Sequence, residues 1–350
     1  MATITDVAHL AGVSIKTVSR VINGEEPIRP ETKAKVAKAV EMLGYEPHRG
    51  ARLMRSSKSG LIGIITGLFS SPDHGKISAG LSDLHILRGA YKACREAGKT
   101  LLMSDMAGDP STVNELLSTF TSHRVEGIIY VASFHQEVLL PTPKATPLVL
   151  INCFSHSGIA SVVPDDTWGQ AAAVEHLVRQ GHRRIGYIGL TEEIVAGRLR
   201  KAAFVNTCQR LGLRQTDCPV AIGSSLRNKE IFDPLSDALQ SILNSDNRPT
   251  ALCFGNDAMA MHAYRKLEEL GVRVPEDMAV IGFDNDIVIC NAVRPQLSTV
   301  TLPYFEMGYA GVRRLLDCIS DPTQLEVSQQ LIRGEVVERD SSPALEHALS

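Results

Sequence analysis

The feature that most constrains this fold is the alternation of short aliphatic runs with longer amphipathic segments beyond residue 60. This alternation is typical of parallel β-strands joined by crossover helices. It predicts strands at residues 61–66, 100–103, 127–131, 148–151, 185–189, 251–254 and 278–282, and helices at 84–97, 111–123, 166–180, 197–211, 233–244 and 257–270. About 290 residues of such units exceed one usual open sheet, so we expect an α/β domain with two successive lobes.

The first 45 residues have a different pattern, which predicts three short helices. We interpret Thr5 as the N-cap of the first helix, which ends at Gly12. The second helix follows the hydroxyl of Ser14, and the third runs from Pro30 to Gly44. The turn between the first two helices is short, as in a helix-turn-helix.

The charge distribution supports this interpretation. The net charge of the chain is −3, but residues 1–60 hold ten Lys and Arg against six Asp and Glu, whereas the remainder holds 26 against 33. Two helices joined by a tight turn on a basic segment predict a DNA-binding module whose second helix enters the major groove. Spacing alone leaves a structural or protein-binding three-helix subdomain as the alternative.

The side chains of the second helix suit this task. Arg20 can contact guanine with two hydrogen bonds, Lys16 can reach a base acceptor or a phosphate, and Ile15 can touch a thymine methyl group. The short polar side chains are suited to phosphate oxygens, which position a helix without reading sequence. They are Ser14, Thr17, Ser19 and Asn23.

A family resemblance is carried by four runs: ITDVA at residues 4–8, GVS at 12–14, TVSRVIN at 17–23 and GYEP at 44–47. Together they resemble the DNA-binding headpiece of the LacI/GalR (lactose-repressor) family of transcriptional regulators. The resemblance implies that Ile15, Lys16 and Arg20 read bases. It also implies a helix-turn-helix domain at 1–46, a hinge at 47–59, an effector-binding and dimerisation domain at 60–342 and a tail at 343–350.

The run ARLMR at residues 51–55 is similar to the hinge of the family. By this resemblance Ala51 and Met54 contact DNA, and Met54 stands where the family usually inserts a Leu into the minor groove. An apolar side chain inserted there unstacks a flexible base step and kinks the duplex. The alternative is that Met54 belongs to an unstructured linker.

Residues 60 to about 340 resemble the two-lobed, periplasmic-binding-protein-like core of the same family. The resemblance rests on the runs HLVRQGHRRIG from residue 176, RLRKAAF from 198, FGNDAMA from 254, VPED from 274 and GFD from 282. It implies a ligand in the cleft between the lobes, at strand ends. Arg200, Asn256 and Asp284 match effector-contacting positions, and Asn152 matches another that is often Asp.

Other residues near the expected cleft have open roles. We interpret Asp257 as the N-cap of the helix that follows it, in preference to a ligand contact. For Arg200 the alternative to an effector contact is a solvated position on the surface of its helix. The loop at 67–81 departs from the family pattern and is expected to carry specificity, and Trp168 is assigned to packing or to the cleft rim.

Several classes of protein are disfavoured. The seven cysteines are scattered singly, which favours reduced thiols over a disulfide framework or a zinc site. No Gly-x-Ser-x-Gly, His-Glu-x-x-His, P-loop or Gly-x-Gly-x-x-Gly motif favours an enzyme, and we expect no cofactor. The longest apolar run, residues 61–69, is too short to span a membrane, and no signal peptide is evident.

We therefore expect a cytoplasmic transcriptional regulator, by resemblance a repressor. It binds a palindromic operator as a homodimer, without a coiled-coil tail, and is controlled by a small molecule, a sugar or glycoside. One alternative keeps the regulator but makes the effector a purine co-repressor. The other is a solute-binding transport protein, which the basic N-terminal segment and the missing signal peptide disfavour.

Overall fold

A computed structural model describes residues 2–22, 24–25, 27–45, 59–68, 80–106, 110–141, 146–226, 234–321 and 328–345. The chain divides into two compact units, Met1–Gly60 and Leu61–Ser350. Three helices make up the first unit: α1 (Ile4–Ala11), α2 (Ile15–Ile22) and α3 (Pro30–Leu43). Val7, Val18 and Val36, one from each helix, are fully buried at the centre of its small core.

The start of α1 differs from the prediction. The N-cap is Thr3 and not Thr5: the hydroxyl of Thr3 accepts a hydrogen bond from the Asp6 N–H, and the Asp6 carboxylate accepts one from the Thr3 N–H. This reciprocal pair is a capping box, which satisfies two backbone donors that a helix start otherwise leaves unpaired. Thr5 lies one residue inside the helix, so its hydroxyl is too far along the chain to cap it.

The second unit alternates strands and helices. Its strands are β1 (Leu61–Thr66), β2 (Thr100–Asp105), β3 (Gly127–Glu137), β4 (Leu148–Phe154), β5 (Ala160–Pro164), β6 (Ile185–Gly189), β7 (Val220–Ile222), β8 (Ala251–Phe254), β9 (Ala279–Asp284), β10 (Ser298–Thr301), β11 (Gln329–Ile332) and β12 (Val336–Val337). Its helices are α4 (Gly80–Glu96), α5 (Val113–Ser122), α6 (Asp166–Arg179), α7 (Val195–Arg210), α8 (Leu235–Leu243), α9 (Asp257–Glu269), α10 (Ile287–Ala292) and α11 (Tyr304–Ser320).

In the described residues these strands form two six-stranded sheets, ordered β11-β5-β4-β3-β1-β2 and β12-β10-β9-β8-β6-β7. We call the first sheet with its helices the first lobe, and the second sheet with its helices the second lobe. Neighbouring strands are parallel except β10 and β12. The central strands are aliphatic and covered by helices on both faces, which is why they read as continuous apolar runs.

The chain passes between the lobes three times: from β5 to α6, from β10 to α11 and from β11 to β12. After the second passage, α11 packs against α4 and the first sheet. The two helices approach so closely that a Cβ atom on Gly308 would lie 2.0 Å from the carbonyl oxygen of Ile86. Glycine at that position therefore sets the spacing of the helix pair.

The predicted fold class, a helix-turn-helix headpiece followed by a two-lobed α/β domain with parallel sheets, is confirmed. The aliphatic runs did not predict β5, β7, β10, β11 or β12, nor the helices α10 and α11. No helix in the part of the chain that the structure describes has the length and apolar character needed to cross a bilayer.

Candidate functional site

The second helix of the headpiece has one packed face and one open face. Val18 is buried, and Val21 and Ile22 pack against the same core. Ser14 caps the helix, because its hydroxyl oxygen lies 3.1 Å from the N–H of Thr17 and accepts a hydrogen bond from it. The side chains proposed for DNA contact lie away from the core, exposed or half-buried: Ser14, Ile15, Lys16, Thr17, Ser19 and Arg20.

Arg20 has an acidic neighbour on this surface. Its Nε lies 3.4 Å from Oε2 of Glu25, and both side chains are at least one-third exposed. An exposed ion pair of this kind is weak, so a phosphate or a guanine base can replace the carboxylate. Asn23, Ala51 and Met54, with residues 47–58 of the hinge, lie outside the described residues, as do residues 69–79 of the loop at 67–81.

The second unit holds a buried guanidinium at the cleft position proposed from the sequence. Arg200, on α7, is only 3% exposed, so it is not the solvated helix residue of the alternative interpretation. Its Nε donates to Oδ1 of Asp166 at 2.7 Å, and its Nη1 donates to the carbonyl oxygen of Gly255 at 2.6 Å. The guanidinium carbon lies 3.7 Å from the centroid of the Phe283 ring, which fixes the plane of the group.

Two carboxylates set the electrostatics around Arg200. Burial works against ionisation of Asp166, but the charge of Arg200 and a hydrogen bond from His135 outweigh it, so the pKa of Asp166 is lowered. Asp284 lies at the end of β9 with Oδ1 at 3.9 Å from Nη1 of Arg200. Burial raises the pKa of Asp284 well above its ordinary value, although Arg200 opposes this. The positive charge of Arg200 is thus largely neutralised by the protein itself.

The other two proposed effector residues lie in different settings. Asn256 follows Gly255 directly and is the N-cap of α9, where its Oδ1 accepts from the N–H of Met259 at 2.8 Å. Asn152 lies in β4 of the first lobe, is buried, and has a left-handed backbone with φ of 60°. Its Nδ2 donates to the carbonyl oxygen of Ala132 at 3.0 Å. The structure therefore brings Arg200, Asp284 and Asn256 together, with Asn152 on the opposite lobe.

The interpretation of Asp257 as an N-cap is wrong. Asp257 is the first residue of α9, and the cap is Asn256. The Asp257 side chain turns inward and accepts from the Thr299 hydroxyl at 2.6 Å and from the Asp286 N–H at 2.8 Å. It is fully buried beneath the cleft, and burial raises its pKa to about 6. Asp257 thus joins α9, β10 and the start of α10, which is a structural role.

Sequence reasoning missed Asp166 and His135. Asp166 is buried in the first turn of α6, and its Oδ2 accepts a hydrogen bond from Nδ1 of His135 at 2.6 Å. The only local signal was the Asp165–Asp166 pair before a helical pattern, where a carboxylate is expected as a cap. Asp165 is that cap, since its Oδ1 accepts from the N–H of Trp168.

Trp168 lies half-buried next to this cap. The guanidinium carbon of Arg333 lies 5.8 Å from the centroid of its ring, and Nε of Arg333 pairs with Asp165 at 3.1 Å. Both residues flank passages between the lobes, at β5 to α6 and at β11 to β12. Trp168 is therefore located at the junction of the lobes.

A basic helix-turn-helix unit joined to a two-lobed α/β unit with a polar cleft defines a ligand-responsive DNA-binding regulator. Comparison with known proteins agrees. Residues 3–48 match the model for bacterial regulatory proteins of the lacI family, and residues 174–342 match that of a periplasmic binding protein-like domain. The chain belongs to the LacI family of transcriptional regulators.

Three relatives span nearly the whole chain. The ribose operon repressor of Escherichia coli K12 is 31% identical over 95% of this chain and 97% of its own. The transcriptional repressor PurR of Pectobacterium atrosepticum is 32% identical over 96% and 97%. The crystal structure of the lac repressor dimer bound to operator and an anti-inducer is 25% identical, with a TM-score of 0.74 over 98% of this chain and 99% of that chain.

Proposed function

We propose that this protein is a homodimeric repressor of a palindromic operator, and that an uncharged, hydroxyl-rich molecule, a sugar or glycoside, controls it from the cleft around Arg200. Arg200, Asn256, Asp284 and Asn152 are the proposed effector contacts. The observation that carries the proposal is the fixed guanidinium of Arg200, with Asp284 at 3.9 Å from its Nη1. Because such a regulator acts on chromosomal DNA, the proposal includes a cytoplasmic location.

The charge of the cleft favours a neutral ligand. Arg200 is already paired with Asp166, and Asp284 adds a second carboxyl group beside it. A phosphorylated ligand would bring its negative charge to a site where Arg200, already paired, does not offer an unpaired cation to offset it. Carboxyl and guanidinium groups side by side can instead accept from and donate to neighbouring hydroxyl groups, which is how a sugar is held.

A purine is the second candidate, because the PurR relative is as similar as the ribose operon repressor. A purine base needs a flat partner for its ring. Phe283, the ring next to Arg200, is only 1% exposed and its face is covered by the guanidinium. Phe254 is equally buried, so neither of these two rings offers its face to a base, and the sugar stays the first candidate.

On the DNA side, the proposal assigns base contacts to Ile15, Lys16 and Arg20, and backbone contacts to Ser14, Thr17, Ser19 and Asn23. Ala51 and Met54 of the hinge contact the minor groove between the two half-sites. Ligand binding changes the arrangement of the two lobes, and through the dimer it changes the affinity for the operator. This requires a ligand that binds one arrangement of the lobes more tightly than the other.

Thermal unfolding of the full chain tests the ligand class. The panel contains D-ribose, other mono- and disaccharides, glycosides, ribose 5-phosphate, hypoxanthine and guanine. A ligand at a hundredfold its Kd adds about 2.7 kcal/mol to the free energy of unfolding, which raises the Tm visibly. We expect an uncharged saccharide to raise the Tm of the wild type but not that of Arg200→Lys. Arg198→Lys, which changes an exposed residue on the same helix, is the control and should respond like the wild type. A purine that raises the Tm, with no response to any saccharide, contradicts the proposal.

A further inference from the structure

A buried hydrogen bond joins the two lobes at the back of Arg200. His135 belongs to β3 of the first lobe, and Asp166 belongs to α6 of the second lobe. The pairing of β3 with β4 shifts register between Val131 and Gln136, and the intervening segment carries His135 to Asp166. Nδ1 of His135 and Oδ2 of Asp166 are 2.6 Å apart, and both side chains are almost completely excluded from solvent.

The surroundings of His135 define its hydrogen-bonding state. Its Nε2 is buried without a hydrogen-bond partner among the described residues, and its ring meets Phe154 edge to face at 5.8 Å between centroids. A buried lone pair without a partner costs less than a buried N–H without one. The geometry thus fits the tautomer with the proton on Nδ1, where it is donated to Asp166.

The Asp166 carboxylate links this contact to the cleft, because each of its oxygens has a different partner. Oδ2 accepts from His135 in the first lobe, and Oδ1 accepts from Nε of Arg200 in the second lobe. Two hydrogen bonds, His135 to Asp166 and Arg200 to Asp166, therefore connect the first lobe to the guanidinium proposed to hold the ligand. Both bonds meet at a single carboxylate. Separating the lobes here removes the donor of Oδ2, and a hydrogen bond to a charged group is among the stronger ones in proteins.

We propose that His135 is a positioning residue that couples closure of the two lobes to the orientation of Arg200, acting through Asp166. In this role the contact favours the closed arrangement before any ligand arrives. A cleft that is already closed has less rearrangement left to complete on binding, so the apparent affinity for the ligand is higher. The inference about ligand affinity rests on the proposed function, whereas the inference about lobe closure does not.

Distances between spin labels in the full ligand-free chain test lobe closure directly. Ser118 on α5 and Ser241 on α8 are exposed and lie on different lobes, so Ser118→Cys and Ser241→Cys introduce one label each. The seven native cysteines are buried, which directs labelling to the introduced pair. Two substitutions at position 135 are compared: His135→Leu removes the donor, and His135→Asn keeps an N–H at the position of Nδ1.

We expect a longer and broader distance distribution in His135→Leu, and a distribution close to wild type in His135→Asn. In an Asp166→Asn background, His135→Leu should change the distance distribution little further, because the carboxylate that accepts from His135 is already absent. Identical distributions in the wild type and His135→Leu, or the same change in His135→Asn as in His135→Leu, overturn the proposal. His135→Ala, which lets water reach Asp166, serves in place of His135→Leu if that variant does not fold.

Calorimetric titration with D-ribose supplies the second measurement. We expect D-ribose to bind about tenfold more weakly to His135→Leu than to the wild type, the size expected for one hydrogen bond to a charged group, with His135→Asn near wild type. Equal affinities overturn the coupling. If D-ribose does not bind the wild type at all, D-ribose is not the effector, and the label distances alone decide the role of His135.

Discussion

The carboxylate of Asp257 accepts a hydrogen bond from the hydroxyl of Thr299 at 2.6 Å, in the floor of the second lobe below the cleft. The same carboxylate accepts the Asp286 N–H and faces the thiol of Cys290 at 3.3 Å. Asp257 follows Asn256, and Asp286 caps α10, so this one side chain joins a proposed ligand contact to α10. The free energy of this junction should depend on pH.

Asp257→Asn tests that dependence. The pKa of Asp257 is raised from 3.8 to about 6 in the folded state by burial. The folded protein therefore binds more protons than the unfolded chain between these values, and the contribution of Asp257 to stability is lost as the pH rises from about 4 through 6. We predict that the difference in unfolding free energy, wild type minus Asp257→Asn, decreases over this range. A difference that stays constant with pH contradicts the raised pKa.

His182 should act in the opposite direction. Burial lowers its pKa from 6.5 to about 4, and its Nδ1 shares a hydrogen bond with the Thr250 hydroxyl at 2.9 Å. Between these values the unfolded chain binds a proton at His182 and the folded protein does not. The contribution of His182 to stability is therefore present above pH 6.5 and is lost as the pH falls toward 4.

Denaturant titrations of His182→Asn check this sign, since Asn keeps a polar atom near the position of Nδ1 without a titratable ring. We predict that the wild type loses more unfolding free energy than His182→Asn between pH 7 and pH 5. His123→Asn, which removes a ring at the end of α5, is the control and should follow the wild type. Parallel curves for all three proteins would show that His182 titrates normally in the folded state.

The pair formed by Arg20 and Glu25 predicts an effect on DNA binding. The proposed base contact requires Arg20 to leave Glu25. Because exposed pairs are worth less than about 1 kcal/mol, Glu25→Gln should then tighten operator binding by up to about fivefold. The operator is first selected from random duplexes, and affinities are measured at several salt concentrations. Glu31→Gln makes the same change of charge at an exposed position of α3, and an equal gain in affinity there would contradict a specific role for the pair.

The close approach of α4 and α11 predicts a strong effect of a single methyl group. A Cβ atom at Gly308 would lie 2.0 Å from the Ile86 carbonyl oxygen, so Gly308→Ala forces the helices apart. We predict a loss of at least about 1–3 kcal/mol in unfolding free energy, the usual cost of overpacking. At Gly67 the nearest atom to a new Cβ is the Met106 methyl group at 3.4 Å, so Gly67→Ala is the control. Similar stability of the two variants would contradict the helix spacing seen here.

The sequence predicted the parts of this protein that a local pattern encodes. Aliphatic runs located the central strands, while β7 and β12, with three and two residues, are too short to show a period. The family motifs located Arg200, but not its partners, because Asp166 is 34 residues away and His135 lies 31 residues before Asp166. Contacts that cross between lobes depend on tertiary packing and leave no spacing in the sequence.

Capping shows the same limit on a smaller scale. Thr3 and Thr5, and likewise Asn256 and Asp257, are alternative caps by residue type alone. In the second pair Asn256 is the cap, because the Asp257 side chain bonds elsewhere. Its partner is the hydroxyl of Thr299, 42 residues further along the chain.

In the proposed function, a small molecule held by Arg200 changes the affinity of this protein for its operator. The most direct measurement is the operator Kd of the full chain with and without the saccharide that raises its Tm, repeated for Arg200→Lys. We expect this Kd to change by about fivefold or more in the wild type, within the usual range of allosteric coupling, and not to change in Arg200→Lys. An operator Kd that is the same with and without the saccharide, or a change that persists in Arg200→Lys, would contradict it.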